Sequence, residues 1–241
     1  MDRREPITQI ATYQHIKLIR VGRFTDPHIV NNMSIKTLSA QLILMASMVV
    51  VSCSTRDMQP NGFTEAELAL IQGTDSIMRV LTIDSPEDLA VLRAESCDLS
   101  DSALISDDYE RLAELMVATV THPSQDGVGI AGPQVGLNRR VVAVQRFDKE
   151  GEQFEVYPNV RIVWASDSLE IGPEGCLSVP DRRGDVLRSR EIVIEYTDLA
   201  TSPLESRSKL PTARDTISGF TAVIFQHEVD HLDGVLYTDR L

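Results

Sequence analysis

Residues 220–232, FTAVIFQHEVDHL, with Gly234 two positions later, decide how this chain is read. The apolar spacing predicts a helix from Phe220 to Leu232, stopped by the glycine. Inside it, His227-Glu228-Val229-Asp230-His231 is an HExxH motif. Two histidines four positions apart share one helix face, with β-carbons roughly 5–6 Å apart. Both imidazoles can therefore reach one metal ion, and Glu228, beside the first, can take a proton from water on that metal. Five residues are a modest signal. The pattern also arises by chance, and an amphipathic helix can carry histidines on its wet face.

Such a site needs a third ligand. A thermolysin-like centre takes a glutamate well downstream, but only ten residues follow His231 here. A metzincin takes a third histidine six positions on, where this chain has Tyr237. The third ligand is therefore expected upstream. Cys176 stands out by its setting, Glu174-Gly175-Cys176-Leu177-Ser178-Val179-Pro180. One thiolate and two imidazoles suit Zn or Fe and leave a position open for water. A lone cysteine is more often a small buried apolar residue.

A third segment, Gly127-Val128-Gly129-Ile130-Ala131-Gly132-Pro133-Gln134, completes a set. EGCLSVP, QHEVDHLDG and this glycine-rich stretch, in this order and spacing, resemble the peptide deformylase family over about residues 77–241. The resemblance extends to the closing Gly-Val-Leu-Tyr-Thr-Asp-Arg-Leu. It implies hydrolysis of the N-formyl group of formyl-methionyl peptides or nascent chains, giving formate and a free N-terminus. Cys176, His227 and His231 would hold one divalent metal, Fe(II) in the cell, with Zn, Ni or Co also accepted. Metal-bound water would attack the formyl carbon with Glu228 as general base and then acid. The Gln134 side-chain amide and the Leu177 backbone N–H would steady the oxyanion. Val128, Gly129, Phe220, Val223 and Ile224 match the positions of the methionine pocket. Arg183 would steer the peptide, and Asp230 would orient a ligand or the helix, though a surface charge there would read the same. Gly127 and Gly129, whether as a tight turn or as an edge open to peptide, leave the backbone approachable.

The chain departs from the family pattern in three places. Gly132 stands where alanine is usual, so a looser loop is expected. Pro158 and Asn159 follow Tyr157 in reversed order. Residues 197–219 are longer than the usual hairpin.

The remaining pattern points to an α+β fold, with antiparallel strands packed around the C-terminal HExxH helix. Residues 107–121 place Tyr109, Leu112, Leu115 and Met116 at helical spacing, with Ser106 as N-cap and an acidic first turn. Arg140–Gln145, Val160–Trp164 and Glu191–Tyr196 read as strands, and 201–219 as loop.

The 241 residues carry a net charge of -13, which argues against nucleic acid as a partner. The charge is uneven: residues 1–52 hold six Lys/Arg against three Asp/Glu, and the remainder 17 against 33. Residues 42–51, LILMASMVVV, are too short to span a bilayer but fit the apolar part of a signal peptide. Val50-Val51-Ser52-Cys53 resembles a bacterial lipobox, whose cysteine is acylated. Residues 1–53 are therefore read as a leader with Met33 as the start. Residues 54–75 are read as a flexible tether, and 76–241 as the catalytic domain. A buried helix or a plain membrane anchor would give the same apolar run.

Lipidation at Cys53 implies a membrane-anchored protein, whereas formyl groups are removed at the ribosome; without it the chain is cytoplasmic. An exported paralogue acting on other N-acyl peptides, a non-catalytic binder of N-blocked peptides and a metalloprotease are the competing readings. Nothing in the sequence asks for an oligomer, and the resemblance favours a monomer.

Overall fold

The structure is a computed structural model that describes residues 62–200 and 209–241. The leader reading, with Met33 and Cys53, lies outside the described residues. Five helices are described: α1 (Glu65–Gln72), α2 (Pro86–Leu92), α3 (Asp101–Leu104), α4 (Asp107–Val120) and α5 (Gly219–Leu232). Eight strands accompany them: β1 (Gly129–Ala131), β2 (Val141–Gln145), β3 (Phe154–Pro158), β4 (Arg161–Ala165), β5 (Leu169–Cys176), β6 (Val179–Ser189), β7 (Glu191–Thr197) and β8 (Thr212–Ser218). The last four residues before Leu241 form a 3₁₀ turn, Tyr237–Arg240.

The strands make three antiparallel sheets, ordered β1-β2-β3, β4-β7-β8 and β5-β6. Helix α5 is held between the first two. Its Ala222, Ile224, Phe225, Val229 and Leu232 pack with Val142 and Val144 of β2, Ile192 and Ile194 of β7, and Ile217 of β8. Full burial of each such side chain contributes about 1.5–3 kcal/mol. This is the α+β arrangement expected, with antiparallel strands around the C-terminal helix. A second core lies on the other side of the first sheet, where Leu112, Leu115 and Met116 of α4 meet Ile130, Val141 and Ala143. Ser106 caps α4 by accepting from the Tyr109 N–H.

The tether expected over 54–75 is corrected from Phe63 onward. Thr64 and Glu67 form a reciprocal capping box that starts α1. Phe63 and Ile71 are fully buried in the second core. Arg139 closes the contact with two hydrogen bonds to Glu67, at 2.6 and 2.9 Å. The folded unit therefore includes residues before 76.

The loop expected over 201–219 is likewise corrected. Its second half is β8, paired residue for residue with β7 from Glu191↔Ser218 to Thr197↔Thr212. Only Ile217 of β8 is fully buried, so the strand shows little of the apolar alternation that marks one in sequence.

Gly132 does not loosen its loop. It is buried, and a β-carbon there would sit 2.6 Å from the Arg139 carbonyl oxygen and 2.7 Å from that of Leu137. Glycine is what lets these backbones approach. The reversed Pro158-Asn159 pair also has a use. Asn159 adopts a left-handed backbone, φ 56°, and its amide bonds both the N–H and the C=O of Leu99, at 2.7 and 3.0 Å.

Candidate metal centre and peptide cleft

Helix α5 presents His227 and His231 on its inner side, and the end of β5 brings Cys176 against them. The ligand atoms of all three lie within 4.8 Å of one another. Cys176 Sγ is 3.2 Å from His231 Nε2, and the two imidazole rings are 5.0 Å apart and nearly perpendicular. Cys176 arrives there because β5 and β6 form a long hairpin whose register shifts at Gly175/Cys176. The turn at its tip is Leu177-Ser178.

The histidines are held in different ways. His227 Nδ1 donates to Glu174 Oε2 at 2.8 Å, leaving Nε2 for a ligand. Burial opposes charge on His227, but Cys176 and Glu174 outweigh it and raise its pKa to about 10. Without a metal, that site attracts a proton. Burial and the neighbouring His227 push the pKa of His231 far below its usual range, so it stands neutral with a lone pair to give. Its Nδ1 is buried without a hydrogen-bond partner.

Glu174, two residues before Cys176, has no role that the sequence motif reveals; the structure gives it one. Arg188 donates to both its oxygens at 2.7 and 2.9 Å. Burial works against its negative charge, yet Arg188 and His227 bring its pKa down to about 2. Asp230 is not a surface charge, and its carboxylate pairs with arginines rather than with either histidine. It is buried and binds Arg188 at 2.6 Å and Arg240. No spacing rule could have found Arg188, which reaches the site across the β5–β6 hairpin.

Glu228 is buried, with Oε2 unpartnered. Burial raises its pKa to about 7, with the His227 charge opposing. A β-carbon on Gly129 would lie 2.4 Å from Glu228 Oε1, so the carboxylate rests against bare backbone. Gln134 is locked by the Ala131 N–H, which donates to its Oε1 at 2.8 Å. Its amide nitrogen therefore faces Ser178 Oγ at 3.3 Å and Cys176 Sγ at 3.6 Å.

These groups open on a cleft of about 760 Å³. Val128, Gly129, Phe220, Val223 and Ile224 all line it, as do Leu177 and Arg183. The structure thus brings the proposed catalytic, metal and substrate residues from 128 to 231 to one cavity or its metal group, with Asp230 behind them; Cys53 lies outside the described residues. The donors fit a divalent ion: one thiol and two imidazoles, with a carboxylate beside them whose Oε2 has no partner.

A sequence model described as "Polypeptide deformylase" matches residues 77–241. The peptide deformylase of Leptospira biflexa is 34% identical over 174 residues, covering 69% of this chain and 88% of that one. Peptide deformylase 2 of Gloeobacter violaceus is 39% identical over 153 residues, 63% of this chain and 74% of its own. Among solved structures, the class I type b peptide deformylase of Acinetobacter baumannii with Met-Ala-Ser bound is 33% identical. Its TM-score is 0.58, over 70% of this chain and 100% of that one. The peptide deformylase of Thermotoga maritima is 28% identical with a TM-score of 0.57, over 69% of this chain and 99% of its own.

Proposed function

The chain belongs to the polypeptide deformylase family, and from that premise we propose how its own residues remove the formyl group from a formyl-methionyl peptide. The observation that carries the reading is the buried Glu228 carboxylate, its Oε2 unpartnered, beside the Cys176/His227/His231 group in a cleft.

Cys176 Sγ and the Nε2 atoms of His227 and His231 would hold a divalent ion, Fe(II) in the cell. That ion supplies Lewis acidity, which makes water acidic and polarises the formyl carbonyl. Glu228 takes the proton of the attacking water, and a pKa near neutrality suits both that step and its reversal. As the new C–O bond forms, the carbonyl oxygen gains negative charge. The Gln134 amide N–H and the Leu177 backbone N–H are the donors assigned to it. The C–N bond then breaks, Glu228 returns its proton to the leaving amine, and formate and a free N-terminus result.

The methionine side chain is taken by Val128, Val223, Ile224 and Phe220. Gly127 and Gly129 leave the β1 edge free for the peptide backbone to pair. Arg183, at the mouth, steers the chain beyond the methionine.

Release of formate from formyl-Met-Ala-Ser, with acetyl-Met-Ala-Ser as control, tests this on Fe(II)- or Ni(II)-loaded protein prepared without oxygen. Turnover of the acetyl peptide alone, or of neither by metal-loaded protein, would overturn it.

For location, the leader and the Cys53 lipobox support a membrane-anchored lipoprotein; the family resemblance supports a monomer. Among the described residues no helix is long and apolar enough to cross a membrane. Inhibiting lipoprotein signal peptidase should leave an unprocessed, larger form in cells. An unchanged size would overturn the lipoprotein reading.

A further inference from the structure

The turn Tyr237–Arg240 reaches His227 by two routes. In the first, the Tyr237 ring lies over the His227 imidazole, with centroids 6.0 Å apart and planes 23° from parallel. Tyr237 is 1% exposed. In the second, Arg240 grips both oxygens of Asp230, Nε to Oδ2 and Nη2 to Oδ1, each at 2.5 Å. Asp230 Oδ2 also accepts from Arg188 Nη1 at 2.6 Å. The rest of that guanidinium is committed to Glu174, and Glu174 Oε2 accepts the His227 Nδ1 proton.

Two guanidiniums and two carboxylates alternate along this chain, so its charges balance. We propose that Arg240 is a positioning residue for His227, fixing the imidazole through Asp230, Arg188 and Glu174. Without Arg240, Asp230 keeps one cationic partner instead of two. Arg188 is then drawn toward the under-neutralised Asp230 and away from Glu174. The carboxylate that sets the His227 ring loses its own support, and the ring is freer to turn Nε2 off the metal. Groups that orient ligands from behind typically contribute 10–100-fold in metal affinity. Arg240 is positioned for this because Asp239 beside it binds Arg93, with one hydrogen bond at 3.0 Å, and caps the turn through the Leu236 N–H at 2.9 Å.

This inference rests on the reading that Cys176, His227 and His231 hold the metal. The full chain, loaded with Zn(II), is mixed with a chromophoric chelator and the rate of metal loss is followed. Arg240→Ala should lose Zn(II) about 10–100-fold faster than wild type. Arg240→Lys should recover part of that, since it restores the charge but not the two-point grip. Glu67→Gln, which weakens the fold far from the site, should keep the wild-type rate. If Arg240→Ala does not fold, Arg240→Gln takes its place, with folding checked by circular dichroism. Wild-type metal loss from the arginine variants would overturn the proposal, as would equally fast loss from Glu67→Gln. A wild type that binds no Zn(II) would instead overturn the metal-site reading beneath it.

Discussion

His227 turns Nδ1 onto Glu174 Oε2 at 2.8 Å, so the orientation of a candidate metal ligand on α5 is set by a side chain on β5. Glu174→Gln removes the charge that both His227 and Arg188 rely on. Metal affinity should fall about 10–100-fold. Leaving Arg188 buried with one carboxylate should also cost about 3–5 kcal/mol of stability. Competition with a chelator and urea unfolding measure the two effects.

Glu228 is the only one of these groups assigned to move a proton. Glu228→Ala should lower kcat by about 10²–10⁴-fold with metal content unchanged. Formate release and metal analysis on one preparation check it. Loss of metal together with activity would mean that Glu228 is structural.

Gly129 leaves room for the Glu228 carboxylate. Gly129→Ala puts a β-carbon 2.4 Å from Glu228 Oε1 and 2.8 Å from Ile224 Cγ2. The base must shift, and a displacement of about 1 Å can cost about 100-fold in rate. Steady-state kinetics should show kcat/KM falling while Zn(II) binding stays intact.

Phe63 separates a tether from a folded helix. Phe63→Ala should cost about 3–5 kcal/mol, the range for emptying a buried aromatic site. A denaturant midpoint within error of wild type would restore the tether reading.

The Glu67–Arg139 pair carries a pH dependence. Burial raises the Glu67 pKa, but the Arg139 and Thr64 hydrogen bonds outweigh it and hold it below the usual 4.5. A carboxyl depressed in the folded state contributes stability above its unfolded pKa and loses it as pH falls through the folded value. Glu67→Gln should therefore be about 2–3 kcal/mol less stable at pH 7, with the gap closing below about pH 4.5. Thermal melts from pH 7 to 3 show whether the gap closes. A gap independent of pH would assign the loss to packing.

Helix α5 was legible because its information is local. A 3.6-residue repeat places His227 and His231 on one face whatever surrounds the helix, and a stopping glycine needs only its neighbours. The α4 cap at Ser106 was legible for the same reason. Helix α1 was missed although Thr64 and Glu67 spell a capping box. Its short run between Gly62 and Gly73, after a polar stretch, looks like a linker until Phe63 and Ile71 are seen in the core. Strand β8 was missed because almost all of its stability comes from pairing with β7, and only Ile217 carries an apolar signal.

The sequence by itself determined the chemistry: three segments carrying Gln134, Cys176 and the HExxH helix, and the class of reaction that they serve. Only the tertiary structure decided how those groups are held. Arg240, Asp230 and Arg188 link in turn to Glu174 behind His227 although up to 66 positions separate them along the chain. Ion pairs of that kind follow from strand register and helix packing, which no short motif encodes. Bare residue types name what a site can do, whereas the distances that let it work exist only once the sheets close around α5.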